Sequence, residues 1–167
     1  MKTAVVLIGF LYVSTSFAAE RNVYMPTQGS NCVDRSRKYE GAWSCQGPGS
    51  YLADFSDEGN VAAFAIRPSD RLQKSVAYTF PGRGKVFGDI VDWRVVDGVP
   101  LAAVLRVWRA QIQQDGSEKE VQELVVLKVS PQESCPVVSV DTRQPAANEV
   151  ARQFAKKAAG MPCQNSK

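Results

Sequence analysis

Apolar residues recur at every second position in several stretches of this chain, and only near its end does the spacing become helical. The clearest stretch is 87–109, FGDIVDWRVVDGVPLAAVLRVWR, two apolar runs hinged on Asp97-Gly98. Asp-Gly accepts positive φ at both turn positions and fits a two-residue type I′ loop. That loop sets Val96 opposite Val99, Arg94 opposite Leu101, Trp93 opposite Ala102, Val91 opposite Val104, Ile90 opposite Leu105 and Asp89 opposite Arg106. Alternation places Phe87, Asp89, Val91, Trp93 and Val95 on one face with Pro100, Ala102, Val104, Arg106 and Trp108. That face is the more aromatic and is the expected core, with Asp89–Arg106 as a cross-strand ion pair. Pro100 donates no hydrogen bond, which points to an edge position.

Further strands are expected at 39–45, then at 51–56 and 61–66 around a turn at 57–60, at 75–80, and at 121–129 after a turn at 114–117. The strand before that last turn should continue to Ile112. Towards its end, 121–129 is apolar on both faces and should lie centrally in the sheet. A last strand is expected at 135–140. The segment 22–38 is polar, contains Pro26 and Gly29, and reads as an irregular arm held at Cys32. At 67–74, Ser69-Asp70 could cap a single helical turn. From 146 to 159, Ala147, Val150, Ala151, Phe154, Ala155 and Ala158 form one helical stripe. Pro145 suits the first turn, Lys156 and Lys157 the negative end, and Gly160 with Pro162 the stop. The alanines allow close approach to a sheet, with Phe154 as the expected anchor. These elements predict an α+β fold: a curved or partly closed antiparallel sheet of about six to eight strands, with one C-terminal helix packed on it.

The N-terminal 18 residues change the cellular setting. Lys2, the apolar run 4–13 and Ser16-Phe17-Ala18, with small residues at −3 and −1, read as an export signal cut after Ala18. The run is shorter than the roughly 20 residues a spanning helix needs. A single domain at 19–167, about 149 residues, is left. In an exported chain the cysteines at 32, 45, 135 and 163 are expected as two disulfides, of which Cys32–Cys45 and Cys135–Cys163 join the nearer pairs. A zinc site is disfavoured because the chain has no histidine and no Cys-x-x-Cys. The expected address is periplasmic or secreted.

The net charge of +3 falls to +2 without Lys2, too little to imply nucleic acid as a partner. The positive charge is uneven, however. Arg67, Arg71, Lys74, Arg83 and Lys85 fall in one segment with Asp70 as its only acid, and form the candidate binding site for an anionic envelope component or another protein. Gly82-Arg83-Gly84-Lys85 fails the phosphate-loop pattern, since Val86 follows the lysine and the first glycine is misplaced.

Catalysis is not expected. Without histidine there is no Ser-His-Asp or Cys-His arrangement. Asp54, Asp57 and Glu58, or Asp89 and Asp92, are the carboxylate clusters that glycoside hydrolysis could use, and turn and ion-pair roles explain them more simply. Asp54 to Gly59 matches half of a calcium loop, but Ala65 stands where the bidentate glutamate is needed. No metal or cofactor is expected.

Two likenesses rest on particular residues. Trp43-Ser44-Cys45-Gln46-Gly47, Val91-Asp92-Trp93-Arg94 with Asp97-Gly98, and Val140-Asp141-Thr142 followed by Ala147-Asn148-Glu149-Val150-Ala151-Arg152, together with the export signal, resemble a group of small envelope proteins of alphaproteobacteria. This likeness covers most of the mature chain, implies a periplasmic address and brings no known activity. The segment 43–55 is similar to the opening of the periplasmic C-type lysozyme inhibitors, small β-barrels with a disulfide. Of their inhibitory loop only Gly49-Ser50-Tyr51 matches, so no inhibitory residue carries over. The expected function is therefore non-catalytic binding of an envelope component, an anionic glycan or another protein, with a lysozyme inhibitor or a carboxylate-dependent hydrolase as alternatives.

Overall fold

In the computed structural model, which describes residues 19–38, 40–81 and 84–164, the alternating segments form ten strands and one helix. In chain order the strands are β1 (Glu20–Pro26), β2 (Cys32–Asp34), β3 (Gly41–Gln46), β4 (Tyr51–Glu58), β5 (Val61–Pro68) and β6 (Val76–Thr79). They continue as β7 (Phe87–Val96), β8 (Val99–Ile112), β9 (Glu118–Lys128) and β10 (Cys135–Asp141), followed by α1 (Ala147–Lys157) and a 3-10 turn at Ala158–Gly160. The expected export signal, Tyr39 and the Gly82-Arg83 part of the basic loop lie outside the described residues.

The single sheet of six to eight strands is corrected to two open antiparallel sheets of five strands, ordered β1-β7-β8-β9-β10 and β2-β3-β4-β5-β6. The chain changes sheets between Phe80 and Val86. The Phe80 amide still bonds to Asn60 O of the second sheet, whereas Val86 O already accepts from the Trp108 amide of the first. Both side chains are buried, so the crossing is anchored at each end.

The inner faces meet around Phe87, whose ring lies 5.1 Å from that of Phe55 and 6.0 Å from that of Phe64. Trp93, Leu105, Val107, Val125 and Leu127 are fully buried in the same cluster. Each such side chain contributes on the order of 1.5–3 kcal/mol through burial. As its two-sided pattern required, β9 sends Val125 and Leu127 into this core and Leu124 and Val126 to the opposite face.

The Asp97-Gly98 turn has positive φ at both residues, 50° and 81°, and Val96 faces Val99. Two residues in, the register departs from the expectation. Val95 pairs with Pro100 but Arg94 pairs with Ala102, so Leu101 is an extra residue in β8. This bulge exchanges the faces of β8: Ala103, Leu105 and Val107 enter the inter-sheet core, while Ala102 and Val104 face the helix. Asp89–Arg106 is corrected for a related reason. Val91 faces Leu105 and Phe87 faces Val107, leaving two extra residues in β7. Thr27 occupies the freed carbonyls, its hydroxyl bonding to Gly88 O at 2.7 Å and its amide to Asp89 O at 2.9 Å. Asp89 instead pairs with Lys85, and Arg106 donates to Gln122. Pro100 is not on an edge strand, because β8 runs between β7 and β9. The β9 ladder stops at Lys128 opposite Ala102, short of the proline.

The irregular arm is likewise corrected, since β1 pairs with β7 from Glu20↔Val96 to Pro26↔Ile90. Its inward residues Val23 and Met25 pack on the core. Ser69-Asp70 starts no helix; Arg71 N bonds back to Pro68 O in a turn. Both disulfides join the expected cysteines. Cys32 and Cys45 face each other across β2 and β3, and Cys135–Cys163 holds the tail behind α1 against β10.

The helix lies on the outer face of the first sheet. Ala147, Ala151, Ala155 and Ala158 are buried there against Ala102, Val104, Leu124 and Val126. Phe154 is only partly buried, so the alanine stripe, not the phenylalanine, is the anchor.

Candidate functional site

Because α1 packs over β8, β9 and β10, the outer face of β7 and β1 beside it is left as an open groove. Alternation decides what lines it. With Val23 and Met25 turned inward, Glu20, Asn22 and Tyr24 face outward, beside Asp92 and Arg94 of β7. The opposite wall is the helix, where Asn148, Arg152 and Lys156 recur at intervals of four and so share one side. Val104 and Leu124 form an apolar floor between the walls.

The contact between Arg152 and Asp92 spans the groove and divides it. Arg152 Nε donates to Asp92 Oδ2 at 3.3 Å, while Asn22 Nδ2 donates to Asp92 Oδ1 at 3.0 Å. The lobe on the Glu20 side has a volume of about 340 Å³ and contains the Arg94–Glu20 pair at 3.0 Å with Lys156. The other lobe, about 530 Å³, is lined by Tyr24, Ile90, Trp108 and Arg106. Tyr24 and Ile90 expose about half of their surface, 52% and 49%. The walls therefore combine apolar and aromatic surface with four cations, Arg94, Arg106, Arg152 and Lys156, against three acids, Glu20, Asp89 and Asp92.

Burial pushes the Asp92 carboxyl above its ordinary value, outweighing the opposing effects of the Arg152 guanidinium and the Asn22 amide. Arg152 in turn is held more firmly protonated, first by its hydrogen bond to Asp92 and then by the nearby Tyr24 hydroxyl. A carboxylate disfavoured by its surroundings thus occupies a guanidinium that could pair with another anion.

No family model, curated protein or solved structure matches the chain. The groove has to be read from its own chemistry. Its guanidinium and ammonium groups suit carboxylate, sulfate or phosphate, and Tyr24 and Trp108 offer flat apolar surface beside them.

The basic segment singled out in the sequence is placed elsewhere. Arg67 pairs with Asp54 of β4, and its Nη1 donates to the carbonyls of Pro68, Ser69 and Arg71 at 3.2–3.3 Å, which ties down the loop after β5. Arg71 lies 3.9 Å from Asp70, with both side chains exposed. Lys74 precedes β6, Lys85 pairs with Asp89, and Arg83 is outside the described residues. None of Arg67, Arg71, Lys74 and Lys85 lines either lobe. Of the candidate carboxylates, Asp54 is held by Arg67, whereas Asp89 and Asp92 do line the groove. Asp54 and Asp57 lie within the extended strand β4, so the half calcium loop is not a loop. Glu133 sits beside Cys135 and Cys163, but both sulfurs are joined in the disulfide and offer no thiolate.

Sequence reasoning missed Arg152, Lys156, Asn148 and Tyr24. The signals were present. The helix carries its polar side at 148, 152 and 156, and 22–25 alternates polar and apolar residues over too short a span to stand out.

Proposed function

We propose that the protein is a non-catalytic exported binding protein of the bacterial envelope, and that it holds an anionic glycan in the groove beside α1. The observation that carries this reading is Arg152, a partly exposed guanidinium in the middle of a mixed apolar and cationic groove, paired with a carboxylate that burial disfavours. A uronate or sulfate group on a sugar chain would take over that guanidinium, with Lys156 and Arg94 beside it, while sugar faces lie on Tyr24 and Trp108. Support for an oxidising compartment comes from the two disulfides. Among the described residues, no helix is long and apolar enough to cross a membrane.

The test is calorimetric titration of the purified protein with uronate-bearing and neutral oligosaccharides of equal length. Binding of the charged series only is expected. Arg152→Gln with Lys156→Gln should weaken it by about tenfold or more, since two charge-assisted contacts are lost. Arg71→Gln, on the exposed loop after β5, should leave it unchanged. Equal affinity for neutral sugars, or loss of binding only in the Arg71 variant, overturns the site. Shortening of the oligosaccharide on prolonged incubation overturns the non-catalytic reading in favour of carboxylate-dependent hydrolysis.

A further inference from the structure

Ala19 is the residue that would follow the cut after Ser16-Phe17-Ala18, and it is bonded twice to the tip of the β7–β8 hairpin. Its nitrogen donates to Asp97 Oδ1 at 2.9 Å, and its carbonyl accepts from the Asp97 amide at 3.1 Å. The turn itself needs only a residue that tolerates a φ of 50° at position 97, a role in which asparagine serves as well as aspartate. Among the described residues, no side-chain cation lies within ion-pair distance of the Asp97 carboxylate. The Asp97 carboxylate thus faces the one nitrogen that cleavage would charge.

We propose that hydrolysis of the Ala18–Ala19 bond creates an α-ammonium that pairs with Asp97 and locks the mature N-terminus onto the β7–β8 turn. An export-pathway peptidase and one water molecule suffice for the step. The C–N bond breaks, the water oxygen remains on Ala18 as a carboxylate, and the Ala19 nitrogen takes up protons to become an ammonium. The neutral amide hydrogen bond to Asp97 then becomes a charge-assisted one. The pairing also positions the groove, because Glu20, next in the chain, pairs with Arg94 in the wall of the smaller lobe. The inference rests on the export reading, and its test separates the two.

The chain 1–167 is expressed in a bacterial host, and the intact mass of the exported form is measured. The expected species begins at Ala19. That form is then acylated at pH 7 with a limiting amine-reactive reagent, and modification of the N-terminal peptide is measured relative to lysine peptides. An ammonium held by a carboxylate gives up its proton less readily, so Asp97→Asn should label the terminus about 3–10-fold faster than the parent. Asp97→Gly, which also suits the positive φ, should behave like Asp97→Asn. A terminus at Ala19 that labels at the same rate in all three proteins overturns the ion pair and leaves export standing. A chain that starts elsewhere overturns the cut after Ala18 and the pairing with it, and a chain that retains 1–18 and stays inside the cell overturns the export reading as well.

Discussion

Replacing Ala151 by leucine tests how closely α1 sits on the first sheet, and therefore what fixes the helical wall of the groove. Ala151 is 1% exposed, between Ala147 and Ala155 on the buried stripe, and faces a sheet surface that includes the fully buried Ala102. Leucine adds three carbon atoms where no space remains. Overpacking of this kind costs about 1–3 kcal/mol, because either the side chain leaves its rotamer or the helix lifts. In a domain of this size that corresponds to a loss of about 3–10 °C in Tm. Phe154→Ala should cost less than the ~3–5 kcal/mol of a fully buried phenylalanine, roughly 1–2 kcal/mol, because Phe154 lies at the margin of the cluster. Urea denaturation followed by far-UV circular dichroism, with the oligosaccharide titration repeated on both variants, gives stability and groove geometry together. A lifted helix displaces Arg152 and Lys156, so Ala151→Leu should also weaken binding. If Ala151→Leu is as stable as the parent while Phe154→Ala loses more than 3 kcal/mol, the aromatic side chain is the anchor and the close-packed alanine interface is refuted.

Three further outcomes follow from single contacts. Asp92 carries a raised carboxyl in the folded state, so its favourable share of stability is present below the unfolded value near 4 and is lost as pH rises through the folded value. Asp92→Asn should accordingly gain on the parent between pH 3 and pH 7 in paired denaturation curves, and a variant that loses ground over that interval contradicts the burial argument. Cys135–Cys163 closes a longer segment than Cys32–Cys45, with sequence separations of 28 and 13. Replacing both members of the longer bridge by serine should cost about 3.6 kcal/mol against about 2.9 kcal/mol for the shorter, with the order of the denaturation midpoints as the check. A Cβ on Gly47 would stand 2.7 Å from Trp93 Cζ2, against an indole with no exposed surface, whereas one on Gly160 meets nothing within 4 Å. Gly47→Ala should lose about 1–3 kcal/mol by calorimetry and Gly160→Ala much less; similar losses for both would refute the contact.

Much of the local structure was legible because it is written in neighbouring residues. Asp97-Gly98 fixed a turn, 121–129 showed its burial on both faces, and the alanine stripe marked the helix. What stayed hidden depends on residues far apart. The extra residue at Leu101 and the two extra residues in β7 leave no mark in an alternating pattern, yet they reverse the faces of β8 and separate Asp89 from Arg106. The division into two sheets depends on where Phe80 and Val86 find partners, which the 80–86 segment alone does not indicate. The groove was hidden for the same reason. Its residues come from 20–24, 88–94, 104–108, 124 and 148–156, and only the pairing of β1 with β7 and the seating of α1 bring them together. Charge clustering in sequence pointed instead to 67–85, where Arg67 is occupied by Asp54 and three carbonyls.

The most direct test of the groove is residue-resolved mapping of the ligand. Titration of the isotope-labelled protein with a uronate-bearing oligosaccharide, followed through backbone amide and arginine side-chain resonances, should shift 20–24, 89–94 and 148–156, with the Arg152 guanidinium among the largest changes. Shifts confined to 67–85, or none at millimolar ligand, would contradict the account.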